Sequence, residues 1–343
     1  MEKSGLYFHI PFCKSKCPYC DFYSKKYCVG EDAAYCERLK DEIKKYSGAF
    51  DTVYFGGGTP SIIKPHLIGE VLNAAKEQFD IDENSEITIE CNPREDLRKR
   101  LKKYAGYGIN RISLGMQSAV NSERFALGRS AGKAEVERTV TAARDAGIEN
   151  ISLDLMLGIP KQTLSSLDES LDFIDKMKVR HISAYMLKIE KGTKFYEMRN
   201  RLSLPDEDET AEMYLKTVEA LNQLGIKQYE ISNFAREGYE SRHNLKYWRL
   251  VPYLGIGKTA HSFYGGRRFY YDIDFNIVDD GNGGDKSERI MLGLRLTEGI
   301  EKTLTDKPYE QFIKAGLMEE KGNRISLTPR GMLVSNTIIN ELI

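Results

Sequence analysis

Gly5-Leu-Tyr-Phe-His-Ile-Pro-Phe-Cys13-Lys-Ser-Lys-Cys17-Pro-Tyr-Cys20 opens with an aromatic, β-branched run that reads as a strand, and three cysteines follow it at once. The spacing C-x3-C-x2-C arises by composition alone in roughly two chains in a thousand, so it needs a cause. All six cysteines (Cys13, Cys17, Cys20, Cys28, Cys36 and Cys91) lie in the first third of the chain. Stapling disulfides would be spread out, so this clustering points to a metal or cluster site in a reducing compartment, the cytoplasm. Three thiolates leave one iron of a [4Fe-4S] cluster open to a ligand from solution. The alternative is structural zinc, which needs a fourth ligand from Cys28, Cys36 or His9.

Around this stretch the chain is ordinary. Its 343 residues are 41% hydrophobic and 29% charged, enough for one large α/β domain or two unequal ones. Fifty basic residues against 51 acidic ones give a net charge of -1, which argues against a nucleic-acid binder working through bulk charge. No apolar run approaches the roughly 20 residues of a transmembrane helix, and no signal segment is expected. Peripheral membrane contact stays open.

Short apolar runs recur at Thr52-Val-Tyr-Phe55, Glu86-Ile-Thr-Ile-Glu90, Arg111-Ile-Ser-Leu114, Ile151 to Leu157 and His181 to Leu187. Helical spacing falls between them, at Asp32 to Tyr46, Pro65 to Phe79, Asp96 to Tyr107, Ala134 to Ala146 and Leu164 to Met177. Six such units predict an α/β fold with a parallel sheet, too few to close an eight-stranded barrel: an open, partial (β/α)6 barrel. Residues 1–228 form this core. A capped helix from Asp206 to Leu224 ends it, and residues 229–278 form an aromatic-rich extension. The acidic, Gly-rich Asp279 to Asp285 reads as a linker into a smaller, mainly helical, winged-helix-like unit that completes residues 279–343. Its hairpin balances Glu319 and Glu320 against Lys321 and Arg324, so no basic recognition stripe forms.

Polar residues interrupt the apolar strands at places where parallel sheets collect ligands. Gly56-Gly57-Gly58-Thr59-Pro60 suits close backbone approach, or simply a tight turn. Glu90 and Asp154 need partners if buried, from Arg129, a ligand hydroxyl or a structural ion pair. Together with C-x3-C-x2-C, these features resemble the radical S-adenosylmethionine superfamily. Tyr7-Phe-His-Ile-Pro-Phe-Cys13, Ser113-Leu-Gly-Met-Gln-Ser118, Leu127-Gly-Arg129 and Asp154 to Thr163 resemble, more narrowly, the oxygen-independent coproporphyrinogen III oxidase family. The resemblance runs from Gly5 to the C-terminus. It implies that Cys13, Cys17 and Cys20 hold a [4Fe-4S] cluster and that S-adenosyl-L-methionine chelates the open iron. Its implied contacts are Tyr7, Tyr19, Gly57, Gly58, Thr59, Glu90, Gln117, Arg129 and Asp154.

Two departures point to one branch of that family. Its oxidases carry a fourth cysteine two residues after the third and an N-terminal arm; here Phe22 stands at that position and the first strand begins almost at once. In their place stands His243-Asn-Leu-Lys-Tyr-Trp248, similar to the haem-binding motif of the HemW haem chaperone branch. The resemblance implies His243 as haem ligand, with haem as cargo for acceptor haemoproteins such as respiratory cytochromes. Read from residues alone, His243 is equally a loop histidine whose Tyr247 and Trp248 pack on the barrel. Two other functions stay open: oxidative decarboxylation of coproporphyrinogen III to protoporphyrinogen IX, and a zinc-stabilised adaptor without catalysis.

Overall fold

A computed structural model describes residues 3–93 and 97–343. Six parallel strands form its centre: β1 (Ser4–Ile10), β2 (Ala49–Gly57), β3 (Asp80–Cys91), β4 (Arg111–Gln117), β5 (Asn150–Leu157) and β6 (His181–Met186). A helix follows each: α1 (Glu31–Ile43), α2 (Pro65–Gln78), α3 (Leu97–Tyr107), α4 (Lys133–Asp145), α5 (Leu164–Met177) and α6 (Glu207–Gln223). The expected start of α3, Asp96, lies outside the described residues. The helix boundaries follow local chemistry. Pro65 sits in the first turn of α2, where its missing N–H costs nothing, and Asp206 caps α6 by accepting from the Glu209 N–H.

Strand periodicity sorts the side chains into two environments. Leu6, Phe8 and Ile10 of β1 are fully buried, and Phe8 stacks on Phe55 of β2 at 5.0 Å between ring centroids. Leu67, Ile68, Val71 and Leu72 of α2 join the same apolar layer, each contributing roughly 1.5–3 kcal/mol. The alternate positions carry Gly5, Tyr7 and His9 on β1, Thr52 and Tyr54 on β2, Glu86 and Glu90 on β3, Arg111 and Ser113 on β4, and Ser152 and Asp154 on β5. The concave side is therefore polar, and the site is built there.

The sheet continues past both ends of the parallel core. Beyond β6, β7 (Lys227–Gln228) and β8 (Asn233–Ala235) add two short antiparallel strands. Beyond β1 lie β9 (Tyr253–Ile256), β10 (His261–Tyr264), β11 (Arg267–Tyr271) and β12 (Ile277–Asn282). The order is β12-β11-β10-β9-β1-β2-β3-β4-β5-β6-β8-β7, a single open sheet. Strand β9 runs parallel to β1, a seventh parallel strand that the sequence reading missed. The expected linker from Asp279 is corrected as well: Asp279 to Asn282 belong to β12, paired to β11 through Phe269↔Asp279. Ordinary turn glycines there are compatible with an edge strand, so composition misled.

Helix α7 (Arg242–Trp248) crosses the N-terminal mouth of the barrel. Glu86 accepts from the backbone N–H groups of Arg242 and His243 at 3.2 and 3.1 Å, holding the helix by its positive end. The C-terminal unit starts with α8 (Lys286–Gly293) and carries a three-stranded sheet of Ile300–Glu301, Arg324–Leu327 and Met318–Lys321. The unit ends in two short helices, Pro329–Leu333 and Ser335–Leu342.

Candidate cofactor site

The cysteine loop leaves β1 and is pinned from both sides. Gly58 and Thr59 donate backbone N–H bonds to Ile10 and Phe12, and Tyr27 donates one to Cys13. A Cβ on Gly58 would stand 2.8 Å from the Phe12 carbonyl oxygen and 3.0 Å from that of Ile10. Gly57 has φ +110°, and its added Cβ would meet the His9 ring within 2.8 Å. Both glycines are required by the close approach of the chain's own Ile10, Phe12 and His9.

Cys13, Cys17 and Cys20 line one cavity of about 190 Å³ with Gly58, Thr59 and Arg129. None of the six cysteines is in a disulfide. Among the described residues no three Cys, His, Asp or Glu side chains gather tightly enough for a single metal ion. Cys36 is fully buried, Cys28 is exposed, and both nitrogens of His9 are bonded, to the Tyr7 hydroxyl at 3.1 Å and the Tyr23 carbonyl at 3.0 Å. A [4Fe-4S] cluster places each thiolate on its own iron, and Cys13, Cys17 and Cys20 around one cavity are the donors that would hold it.

A second cavity of about 470 Å³ adjoins the loop and opens over the carboxyl ends of the strands. Tyr19, Gly57, Gly58, Thr59, Glu90, Gln117, Arg129 and Asp154 all line it. Tyr7 does not; it lines a neighbouring aromatic cleft, its ring 6.1 Å from that of Tyr54 and its hydroxyl bonded to His9. Glu90 accepts from the Tyr54 hydroxyl at 2.9 Å and the Gly57 N–H at 3.2 Å. Burial, reinforced by Asp154, pushes its carboxyl up to about 7. Asp154 is also raised, by burial first, against the Ser113 hydroxyl that donates to it at 2.9 Å and the cations Arg111 and Arg129. Two acids facing one cavity, otherwise enclosed, offer acceptors to hydroxyl or ammonium groups of a ligand.

Arg129 reaches in from the loop ahead of α4, donating to the Tyr19 hydroxyl at 2.8 Å and to Asn92 Oδ1 at 2.5 Å. Asn92 in turn donates to Thr59 Oγ1 at 3.0 Å. Gln117 sits at a register shift ending β4 with φ +67°, a left-handed conformation unusual for a side-chain-bearing residue. Sequence reasoning missed Asn92, Ser113, Arg111 and Tyr185. Asn92 was the most visible of these, standing two residues after Glu90 at a strand end.

His243 lies in α7, outside the linings of the cysteine-loop cavity and the strand-end cavity. It is fully buried, with Nδ1 bonded to Thr52 Oγ1 at 2.8 Å and Nε2 to the Tyr247 hydroxyl at 2.7 Å. Tyr54 stacks on its ring at 5.2 Å. Burial, then Lys246 and Arg111, hold its pKa down to about 3, so the ring is neutral. In this structure the histidine plugs the closed mouth of the barrel.

Comparison with known proteins places this architecture. The Radical SAM superfamily matches residues 7–174, and the HemN C-terminal domain matches residues 287–334. A Lactococcus lactis protein named Heme chaperone HemW is 32% identical over 371 residues, covering 100% of this chain and 98% of its own length. The chain belongs to the HemW family. A Bacillus subtilis member of the same name is also 32% identical, over 99% of both chains. A mouse relative named Radical S-adenosyl methionine domain-containing protein 1, mitochondrial, is 37% identical over 92% of this chain and 71% of its own. Among solved structures, Escherichia coli coproporphyrinogen III oxidase (HemN) superposes with a TM-score of 0.81 at 20% identity, over 99% of this chain and 90% of that one. That likeness shows that the family shares the oxidase's fold.

Proposed function

We propose that this chain is a haem chaperone, binding haem as cargo and delivering it to haemoproteins such as respiratory cytochromes. In this reading Cys13, Cys17 and Cys20 hold a [4Fe-4S] cluster, and the cavity of Glu90, Gln117, Arg129 and Asp154 holds S-adenosyl-L-methionine. When bound, those groups supply one-electron reductive chemistry. The chain's own part is to anchor the cluster loop through Gly58 and to offer acceptors at Glu90 and Asp154.

The observation that carries the reading is a second, aromatic cleft of about 750 Å³ beside the cofactor cavity. Asp21 and Phe22 line both spaces and form their shared wall. A flat apolar cargo fits there without lying over the polar cavity. The names carried by full-length relatives support the same cargo. Unpaired cysteines suit the reducing cytoplasm expected from the sequence. Among the described residues no helix is long and apolar enough to cross a membrane.

The test is a titration of haemin into anaerobically reconstituted protein, followed by transfer to an apo-cytochrome. Saturable uptake and transfer are expected. Conversion of coproporphyrinogen III to a decarboxylated product would instead establish the oxidase reaction.

A further inference from the structure

We propose that a carboxylate of the cargo takes the place of Glu288 on Arg268, and so releases the chain entering helix α8 from the aromatic cleft. The proposal rests on the haem-carrying reading above and assigns the residues that meet the cargo's acidic edge.

Arg268, on β11, is the only lysine or arginine among the described residues that line the cleft. The acids there are Glu288 and Asp21, the latter on the wall shared with the cofactor cavity. A cargo bearing two carboxylates is repelled by both acids, so attraction is confined to the Arg268 end. The guanidinium is already braced. Its Cζ lies 4.9 Å from the centroid of the Phe263 ring, and Nη1 donates to the Tyr253 hydroxyl at 3.2 Å. Nη2 pairs with Glu288 Oε1 at 2.5 Å, while the buried Nε–H has no hydrogen-bond partner among the described residues. Glu288 thus engages one nitrogen of a fork that suits two oxygens. A carboxylate lying across Nε and Nη2 would meet both donors, the bidentate arrangement in which arginine holds carboxylates most firmly.

Glu288 is also what ties the approach to α8 onto the cleft. It stands in the first turn of that helix, its N–H bonded to Asp285 Oδ1 at 2.8 Å, and its Oε2 accepts from the Gly284 N–H. The preceding chain is pressed onto Arg268 itself: a Cβ on Gly283 would stand 3.1 Å from Arg268 Cγ and 2.8 Å from the Phe263 ring. Gly281 and Gly284, both at φ +85°, are left-handed points about which this segment can turn. Farther along the helix, Ile290 and Leu294 are fixed in the apolar core, which confines the release to residues 283–288. Lifting that segment uncovers the Nε–H as it withdraws Glu288, so the two events are one. The Arg268 and Glu288 side chains are 21% and 17% exposed, and a pair this close to water is weak enough to exchange one carboxylate for another.

The experiment titrates haemin and haemin dimethyl ester into the full-length wild type, Arg268→Gln, Glu288→Gln and the double variant, and follows deuterium exchange at residues 283–288. Arg268→Gln should weaken haemin about tenfold, and Glu288→Gln should tighten it severalfold. In the double variant that gain should vanish, since there is no arginine left to compete for. The ester, with no carboxylate to place, should bind all four chains alike. Exchange at 283–288 should quicken when haemin loads the wild type and stay as it was with the ester. Equal losses of haemin and ester in Arg268→Gln would make Arg268 a packing residue and overturn the proposal. So would a Glu288→Gln variant that binds haemin no more tightly, a gain that persists without Arg268, or exchange that haemin leaves unchanged or slows. A wild type that takes up neither porphyrin removes the chaperone reading itself, a separate failure visible in a separate sample.

Discussion

Glu90 is the group whose charge depends most on what fills the cofactor cavity. Burial and Asp154 raise its folded pKa to about 7, while the unfolded chain ionises near the ordinary carboxylate value. Between those values the unfolded state releases the proton first, so Glu90 costs stability as pH rises from about 5 to 7. Glu90→Gln should therefore gain over wild type across that window, by on the order of 1–3 kcal/mol at pH 7, read as a melting-temperature difference that grows with pH. No pH dependence in that difference would refute the assignment of its charge state. His243 has the opposite sign. Its folded pKa of about 3 lies below the free value, so its contribution is present above pH 6.5 and lost as pH falls toward 3. His243→Ala should cost roughly 2–4 kcal/mol at pH 7 by leaving a cavity and two unpaired hydroxyls, and the gap should close in acid. Glu90 and Asp154 were legible in the sequence as acids on apolar strands. The immobilised state of His243 was not, because its partners Thr52 and Tyr247 are set by how α7 docks.

The elements around the cysteines were nearly complete in the sequence, since strand, loop and glycine turn follow one another closely. Gly58 shows why the turn resists change: its neighbours are backbone atoms of Ile10 and Phe12, which cannot rotate away. Gly58→Ala should push the cysteine loop off β2 and lower iron and sulfide content after anaerobic reconstitution, with far-ultraviolet dichroism retained. Full iron and sulfide loading in that variant would show that the loop tolerates displacement. Gln117 ends β4 in a strained backbone, and Gln117→Gly should relieve it, raising stability by up to about 1 kcal/mol. Affinity for S-adenosyl-L-methionine, measured by calorimetry, should fall in the same variant. An unchanged affinity would remove Gln117 from the ligand's contacts.

At the scale of the whole molecule, the C-terminal unit and the barrel share one apolar core. Leu294, Ile300, Phe312, Met332 and Ile338 belong to the same buried cluster as Met213 and Tyr214 of α6. The Tyr214 hydroxyl donates to the Ile231 carbonyl at 2.9 Å, and Ile231 donates to the Arg295 carbonyl at 3.1 Å. Calorimetry should accordingly show one cooperative unfolding transition, and removal of residues 287–343 should yield an aggregating chain rather than a stable barrel. Two separated transitions would contradict the shared core. By itself the sequence determined the six strand–helix units and the C-x3-C-x2-C spacing, because these follow from local periodicity and short spacings, whereas the residues expected around the strand-end cavity came from resemblance to a family. Only the tertiary structure decided that β9 joins β1, that residues 279–282 lie in a strand, and that His243 closes the barrel. The joining of β9 to β1 and the closure by His243 depend on pairings between segments some 190 to 250 residues apart, Gly5 with Tyr253 and Thr52 with His243, while residues 279–282 pair locally with β11 behind a glycine-rich composition that hides the strand.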